Sequence, residues 1–573
     1  MNHIVKITNE AFKLKNICGA ADAQPLFSLK AARNQIASFQ IILETGRNMR
    51  VSVGKHNSLS NFMPMDRYRV EVESPIEEVK TYLEGYLPDE HNIMCADILL
   101  TEPVWEYKGD MPAVIWVDVP VSREEKPGEY EVKVKVFYSK GIMDEELVDT
   151  KTLAIKVEDY ILLDVKDYKL YVDIWQQNSN ISRTYGVELW SEEHFKIMDK
   201  VIASLAGLGQ KSVTIVASDC PWRGWGCHLL RSTQANLYEY SIIPVIKDKS
   251  GVFHYDFSIM QRYIDLCDSY GINGDISIYG LIGLWSMPYF TVPEISDYPE
   301  KLLVRYKDET DGHYAYMNKK EEILDYMKAL FDYFTHTNQL SKVRIAADEP
   351  KDLEGFRKSL TLIRNVAPTV KFKMALDHAA VIRDFTEEIE DVASSFPCTC
   401  SENEFLLQHK KEYNKRLLWY VCNIPYDKPN TVLHNHLLDT RVLGALNYIF
   451  GFDGFLRWAY TCWPNNPSND IRFNDMGLPA GDVNFIYPTK DGDVALSLRY
   501  KALQRGFEDY ELIHRLKEQG KEDVVKAALD KIIYNYKFTD YMQTDRVTND
   551  NIYSIAYEDY SDMREMLIKG LMG

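Results

Sequence analysis

Eight short apolar segments between residues 168 and 460 constrain the fold of this chain more than any other feature of the sequence. Longer stretches with the apolar spacing of amphipathic helices separate several of them. This alternation is typical of a parallel α/β architecture, and eight strands fit a (β/α)8 TIM-type barrel. An open doubly wound sheet is the alternative. The predicted strands are 168–175, 212–218, 274–282, 342–348, 370–377, 398–403, 416–423 and 454–460, with helices at 191–209, 257–271, 320–337 and 354–366.

The N-terminal part has a different pattern. Segments such as 113–121 and 128–138 are short, and the second alternates apolar and polar residues, as a half-buried strand does. Turns rich in Pro, Gly and charge separate the segments, without amphipathic helices between them, which predicts an antiparallel β-sandwich. After about residue 495 the pattern is helical. We therefore predict a multi-domain chain with a β-sandwich at 1–157, the barrel at 158–515 and C-terminal helices packed on the barrel at 516–573.

Charge and composition exclude several classes of function. The formal net charge is -19 and the pI is about 5.3, which argues against nucleic acid as a partner because phosphate binding needs a basic surface. The sequence contains no run of 18 apolar residues, so it predicts no membrane span. The opening MNHIVKITNE lacks the apolar segment of a signal peptide, so we expect a cytoplasmic protein unless an export signal has been removed. The odd number of cysteines, nine, predicts buried free thiols and not a disulfide framework.

One short stretch is the strongest candidate for chemistry. In KVRIAADEP (342–350) the fourth predicted strand leads directly into two acids, Asp348 and Glu349. Catalytic groups of barrel enzymes lie at the carboxyl ends of the strands. The alternative is structural: acids beside Pro350 are also typical of the first turn of a helix.

Other polar and aromatic residues lie at the ends of the remaining predicted strands, and flat aromatic rings suit the apolar faces of sugars. Each alone is weak evidence, because a Trp at a strand end often belongs to the core. Their convergence at one end of the barrel predicts a carbohydrate site. The predicted substrate-binding residues are Trp175, Asp219, Trp225, Trp285, His378, Tyr420, Asn423, Trp458, Tyr460 and Trp463.

Adjacency of the two acids limits the mechanism. Carboxyl groups that act from opposite sides of a glycosidic bond are about 5–5.5 Å apart in retaining enzymes and about 6.5–9.5 Å apart in inverting enzymes. Two neighbouring residues on one rim do not easily lie on both sides of a sugar. They can act together if a 2-acetamido group of the substrate attacks C1. Asp348 would then stay charged and orient the amide, and its charge would favour the protonated form of Glu349, the general acid.

The stretch RIAADEP (344–350) on a fourth barrel strand resembles the Asp-Glu pair of glycoside hydrolase family 123, the β-N-acetylgalactosaminidases. The order of sandwich and barrel is similar to that family too. Three further segments resemble the family: HYDFSIMQRYIDLCDSYGI (254–272), GFLRWAYTCWPNNP (454–467) and YPTKDGDVALSLRYKALQRGFEDYELI (487–513). The likeness extends from about residue 170 to 515.

The resemblance implies a retaining, substrate-assisted mechanism without metal or cofactor. It implies that Asp348 orients the acetamido group and that Glu349 is the acid/base. The implied substrate is terminal β-linked N-acetylgalactosamine on an oligosaccharide or glycosphingolipid-type glycan. Two alternatives stay open: a broader β-N-acetylhexosaminidase, and a carbohydrate-binding protein that has the barrel but no activity.

Overall fold

The structure is a computed structural model that describes residues 3–15, 20–55, 66–109, 111–140, 143–221, 238–282, 297–300, 302–350, 352–472 and 478–573. Its architecture confirms the predicted fold class: a β-sandwich, a TIM-type barrel and a C-terminal helical segment. Among the described residues, no helix combines the length and apolarity needed to cross a bilayer. The seven described cysteines are free and all but Cys422 are buried, as the odd count predicted.

Two sheets form the sandwich, and apolar residues from both enclose one core. All pairs in the first sheet are antiparallel, whereas the second contains two parallel pairs, Ser28–Arg33 with Glu146–Ile161 and Met49–Val53 with Asp66–Glu73. In spatial order the first sheet is Ile4–Asn9, Gln35–Glu44, Ala113–Val121, Lys80–Pro88 and Met94–Leu100, and the second is Ser28–Arg33, Glu146–Ile161, Gly128–Lys140, Asp66–Glu73, Met49–Val53 and Val104–Tyr107.

Eight parallel strands form the barrel, and neighbours in space are neighbours in sequence. The first and eighth strands pair directly, and the first and second are joined where the Lys211 N–H donates to the Val172 carbonyl at 2.9 Å. The strands are Tyr171–Ile174, Ser212–Val216, Asp275–Tyr279, Val343–Asp348, Lys371–Leu376, Ile389–Ser395, Arg416–Tyr420 and Gly454–Arg457. The helices are Asn178–Tyr185, Glu192–Ala206, Ser258–Ser269, Lys320–His336, Leu353–Val366, Ala380–Asp384, Phe396–Tyr413, Leu437–Phe450 and Leu498–Glu518.

The predicted sixth strand at 398–403 is wrong. The sixth strand is Ile389–Ser395, and residues 398–403 lie in the helix that follows it, Phe396–Tyr413. Ser395 caps that helix through a hydrogen bond from the Cys398 N–H at 3.3 Å, and Pro397 occupies the first turn, where its missing N–H costs nothing. The segment Ile389–Ser395 was missed because Glu390 and Asp391 interrupt its apolar run.

A charged layer occupies part of the barrel interior. Alternate strands contribute to such a layer in this fold, and here the first, third, fifth and seventh strands contribute Asp173, Asp275, Lys373 and Arg416. Lys373 contacts Asp173 and lies 3.8 Å from Asp275, and all three are at most 2% exposed. Arg416 pairs with Asp275 at 2.9 Å. Removing one ion would leave its partners buried and uncompensated, which costs about 3–5 kcal/mol.

The sandwich and the barrel share a buried ionic contact. Asp97 on the sandwich strand Met94–Leu100 pairs with Arg499 of the helix Leu498–Glu518 at 2.9 Å, and both side chains are at most 1% exposed. The Arg499 guanidinium also donates to the carbonyls of Thr431, Gly481 and Asn484 at 2.8–2.9 Å. One sandwich carboxylate therefore fixes the arginine that ties together two barrel loops.

The C-terminal helices pack on the barrel core. Glu522–Leu529 and Tyr557–Met572 contribute Val525, Met563 and Leu567 to the barrel's apolar cluster. Arg564 additionally pairs with Asp509 at 2.6 Å.

Candidate active site

The Asp-Glu pair follows a buried strand and does not lie in a helix. The strand Val343–Asp348 pairs on one side with the third strand and on the other with the fifth, where Asp348 is opposite Ala375. The Glu349 N–H extends this ladder by donating to the Ala375 carbonyl at 3.0 Å. The next helix begins at Leu353, and its cap is Asp352, which accepts the Gly355 N–H at 3.0 Å. The alternative that the pair belongs to the first turn of a helix is therefore wrong.

The backbone at Glu349 lets both acids line one cavity. Successive side chains of a regular strand point to opposite faces. Glu349 has φ of 43°, in the left-handed region that residues other than Gly and Asn seldom adopt. This bend ends the strand alternation at the rim, and Asp348 and Glu349 both border a cavity of about 490 Å³. A strained backbone at such a position is typical of functional sites.

Tyr420 connects the seventh strand to the acid pair. It ends the strand Arg416–Tyr420, is 5% exposed, and its hydroxyl donates to Glu349 Oε1 at 2.6 Å. Burial, and then the charge of Glu349, raises the pKa of Tyr420 well above its ordinary value, so the phenol stays protonated and remains a donor. Glu349 is thus held by a neutral hydrogen-bond donor.

Aromatic rings border the same cavity from the first and eighth strands. Trp175 follows the first strand, is 1% exposed, and packs against Tyr279 with ring centroids 4.9 Å apart. Trp458 follows the eighth strand, and its Nε1–H donates to Asp482 Oδ2 at 3.3 Å. Trp458 is partly exposed and supplies a flat apolar surface of the kind that a sugar face needs, whereas Trp175 packs behind the cavity wall.

Three further carboxylates line the cavity, and none is among the substrate-binding residues predicted from the sequence. Asp482 is fully buried and pairs with Arg457 at 2.9 Å. Asp377 follows the fifth strand and contacts the His378 ring. Asp545 comes from the C-terminal segment, which is attached to the loop after the seventh strand by the Tyr426 N–H bond to the Arg546 carbonyl at 2.9 Å. Strand-end position signalled Asp377, but the other two lie far from any strand end in sequence.

The structure brings together six of the twelve predicted site residues. Those that line the cavity are Asp348, Glu349, Trp175, Tyr420, Asn423 and Trp458. Asn423 lies in the loop after the seventh strand and accepts a hydrogen bond from the Cys422 thiol at 3.1 Å. Trp225 and Trp285 lie outside the described residues.

The other four predicted residues lie elsewhere. Asp219 is buried in a pair with Arg305 at 2.9 Å. His378 is mostly exposed beside Asp377. Tyr460 and Trp463 are core residues: the Tyr460 hydroxyl lies 2.7 Å from Ser204 Oγ, and the Trp463 Nε1–H donates to the Ile486 carbonyl at 2.6 Å. Both follow the eighth strand as expected, but they turn into the packing behind it.

Among the residues described, no group of three or more His, Cys, Asp or Glu side chains could hold a metal ion. The arrangement offers instead one carboxyl held by a phenol, a second carboxylate beside it, and aromatic walls. These groups can bind a polyhydroxylated ring and transfer a proton to it.

Comparisons with known proteins place the chain in a family. The catalytic-domain model of glycoside hydrolase 123 matches residues 175–516, more than half of the chain. A family 123 glycoside hydrolase from Clostridium perfringens, described for glycolipid glycan hydrolysis, aligns with 99% of this chain and 97% of its own at 15% identity and a TM-score of 0.73. A β-glucuronidase from Bifidobacterium dentium aligns with 88% of this chain and 66% of its own at 12% identity and a TM-score of 0.30, too distant to carry an argument.

No curated protein gave a significant match to the sequence. The Clostridium structure supports the fold of this chain. The family model supports its classification. The match covers Asp348, Glu349 and every barrel strand after the first. The chain belongs to glycoside hydrolase family 123.

Proposed function

We propose that this protein is an exo-acting, retaining β-N-acetylgalactosaminidase that works through the acetamido group of its own substrate. The observation that carries the proposal is the placement of Asp348 and Glu349, consecutive on one rim and both on the cavity. A glycan of the glycolipid type is the substrate favoured by the described activity of the Clostridium relative.

In the first step the acetamido oxygen attacks C1 as the bond from C1 to the leaving oxygen breaks. Glu349 donates its proton to the leaving oxygen, and the sugar closes into an oxazoline. Asp348 accepts a hydrogen bond from the amide N–H and offsets the positive charge that develops on it. In the second step Glu349, now ionised, takes a proton from water, and the water oxygen adds to C1 and opens the ring. Two inversions at C1 leave the β-configuration unchanged.

The surroundings of the pair suit these roles. The Tyr420 hydroxyl at 2.6 Å stabilises Glu349 when it is ionised, between the two steps. Asp482 is less suited to act as a nucleophile because its charge is compensated by Arg457 at 2.9 Å. The cavity, at about 490 Å³, is within the range of small-ligand sites.

Substrate choice tests the acetamido attack. We expect hydrolysis of 4-nitrophenyl N-acetyl-β-galactosaminide, with the gluco epimer cut more slowly and the plain β-galactoside not at all. Equal rates on both N-acetyl epimers would indicate the broader hexosaminidase. Cleavage of only the plain galactoside would refute the acetamido attack, and binding without cleavage of any substrate would indicate a carbohydrate-binding protein.

Substitution of the two acids tests their roles. We expect Glu349→Gln to lose about 10²–10⁴-fold in kcat on natural glycans but much less on aryl glycosides, whose leaving groups need little protonation. Asp348→Asn should impair both substrate classes. The matched control is Asp352→Asn, which changes the same residue type in the same loop and keeps a good helix cap. Isolation of an ester between the sugar and a protein side chain would exclude the oxazoline route.

A further inference from the structure

A second large cavity lies away from the acid pair, between the sandwich and the barrel. It has a volume of about 580 Å³ and shares no lining residue with the catalytic cavity. Its sandwich side is formed by the strands Lys80–Pro88, Met94–Leu100 and Val104–Tyr107, and its barrel side by residues 466–469 and 487–490. We call this cavity the sandwich groove.

Trp105 is the most unusual residue of the groove. It lies on Val104–Tyr107, the edge strand of the second sheet, opposite Val51. It is 40% exposed, and it is the one tryptophan among the large apolar side chains that are exposed in the described part of the chain. An indole that is 40% exposed at a sheet edge has an apolar face that a ligand can contact.

Two tyrosines form an aromatic wall beside Trp105. Tyr86 and Tyr107 contact edge to face with ring centroids 6.0 Å apart. Both hydroxyls are used within the protein: Tyr86 donates to the Pro112 carbonyl at 2.6 Å and Tyr107 to the Glu84 carbonyl at 3.0 Å. Both tyrosine rings are therefore fixed. Tyr86 is partly exposed and adds apolar surface to the groove, and Tyr107, at 3% exposed, packs behind it.

The barrel side supplies amides. Asn466 and Asn469 are exposed, and Asn469 Nδ2 donates to Asn466 Oδ1 at 3.0 Å. The remaining amide atoms, Asn466 Nδ2 and Asn469 Oδ1, form no hydrogen bond among the described residues. They can serve a ligand as donor and acceptor, respectively. The charged residues at the groove are two acids and two bases, Glu102, Glu106, Lys108 and Lys490.

These observations select one kind of ligand. A flat indole on one side of the groove and an amide donor and acceptor on the other suit a ring with one apolar face and a rim of hydroxyls. Balanced charge favours a neutral ligand over a phosphorylated or sialylated one. We propose that the sandwich groove is a non-catalytic binding site for a neutral oligosaccharide. Such a site would hold a glycan-rich surface near the enzyme and raise the effective concentration of substrate at the catalytic cavity.

Calorimetry on the full-length chain tests the proposal. The probe is a neutral tetrasaccharide with terminal β-linked N-acetylgalactosamine, titrated into Glu349→Gln so that it is not consumed. We expect two sites, and we expect Trp105→Ala in the same background to retain one. Asn466→Ala should weaken the same site by about tenfold, and because Asn466 is an exposed loop residue its effect is not a folding defect. Tyr534→Ala, an exposed aromatic 56% accessible and outside the groove, is the control and should keep both sites.

Kinetics separate this proposal from the proposed function. In the otherwise wild-type enzyme, Trp105→Ala should leave hydrolysis of 4-nitrophenyl glycosides within about twofold and slow hydrolysis of neutral glycolipid in vesicles by about fivefold or more. If the proposed specificity is wrong, the aryl glycoside assay fails whether or not Trp105 is present. Unchanged stoichiometry in both Trp105→Ala and Asn466→Ala would overturn the groove proposal. So would a wild-type dimer that Trp105→Ala converts to monomer, since a second copy would then occupy the groove.

Discussion

Asp97→Asn tests whether the sandwich stabilises the barrel through one buried charge. Asp97 accepts the Arg499 Nε–H at 3.0–3.1 Å through both oxygens and also accepts the Tyr487 hydroxyl. Asn has the same shape but no charge, so the Arg499 guanidinium would stay buried without its counter-ion. Breaking a buried pair in this way costs about 3–5 kcal/mol. We expect the free energy of unfolding to fall by that amount at pH 7.

Asp159→Asn is the matched control. It makes the same substitution in the same sandwich, but Asp159 is 69% exposed and pairs with Arg33 at 2.7 Å. An exposed pair contributes about 0–1 kcal/mol. The two variants should therefore differ by at least about 2 kcal/mol. Because multi-domain chains need not unfold in one two-state step, the measurement is the urea midpoint of the first transition, followed by fluorescence and by loss of activity together.

The pH dependence supplies a second check. Burial on its own would raise the pKa of Asp97, but Arg499 and Lys13 outweigh burial and lower it. A carboxyl whose pKa is lowered on folding contributes stability above its unfolded pKa of about 3.9, and that contribution is lost as the pH falls further. The gap between wild type and Asp97→Asn should then narrow below about pH 4. A gap at pH 7 no larger than that of Asp159→Asn would refute the reasoning.

Three further variants test the acid pair, the barrel interior and one buried imidazole. Tyr420→Phe removes a hydrogen-bond donor that favours the ionised form of Glu349 by about 1–1.5 kcal/mol. The alkaline limb of the pH profile of kcat/KM should therefore move up by about one pH unit. An unchanged alkaline limb would show that Tyr420 does not influence the proton transfer. Lys373→Met should lower the free energy of unfolding in urea by about 3–5 kcal/mol. Lys328→Met, which breaks an exposed ion pair, should lower it by about 1 kcal/mol or less. Equal losses in the two variants would contradict the stabilising role of the buried charged layer. Burial lowers the pKa of His194 from 6.5 to about 4. As the pH falls, the unfolded chain therefore takes up a proton before the folded chain does, and the free energy of unfolding falls by about 3 kcal/mol between pH 6.5 and pH 4. His194→Gln should reduce this dependence of the free energy of unfolding on pH, measured by denaturation from pH 7 to 4.

The contact at Asp97 also connects the sandwich to the candidate active site. Arg499 donates to the Gly481 carbonyl at 2.8 Å, and the next residue, Asp482, lines the cavity of the acid pair. Gly481 has φ of 84°, and a Cβ there would lie 2.6 Å from Arg499 Nη1. The loop can thus approach the arginine only with glycine at this position. We expect Asp97→Asn to lower kcat/KM as well as stability, because a displaced Asp482 would no longer support Trp458 through its hydrogen bond at 3.3 Å.

The sequence by itself determined the fold class and the position of Asp348 and Glu349 at the end of a barrel strand. Period-two alternation and the spacing of apolar segments are local properties, and they predicted the sandwich and seven of the eight barrel strands. Asp348 and Glu349 were predictable because a strand end and an acid pair are both visible in KVRIAADEP. The sixth strand was missed because Glu390 and Asp391 interrupt its apolar run, although Arg344 compensates Asp391 at 2.9 Å in the folded barrel.

Only the tertiary structure decided which residues meet around the acid pair. Trp458 and Trp463 both follow the eighth strand, yet one lines the cavity and the other packs into the core. Sequence position gives the strand end, but backbone direction after that end sets where each side chain points. Asp482 and Asp545 reach the cavity from distant loops that long-range contacts hold in place, the first through Arg457 and Arg499 and the second through the Tyr426 backbone. Contacts of this kind depend on packing between segments far apart in sequence, and no local pattern encodes them.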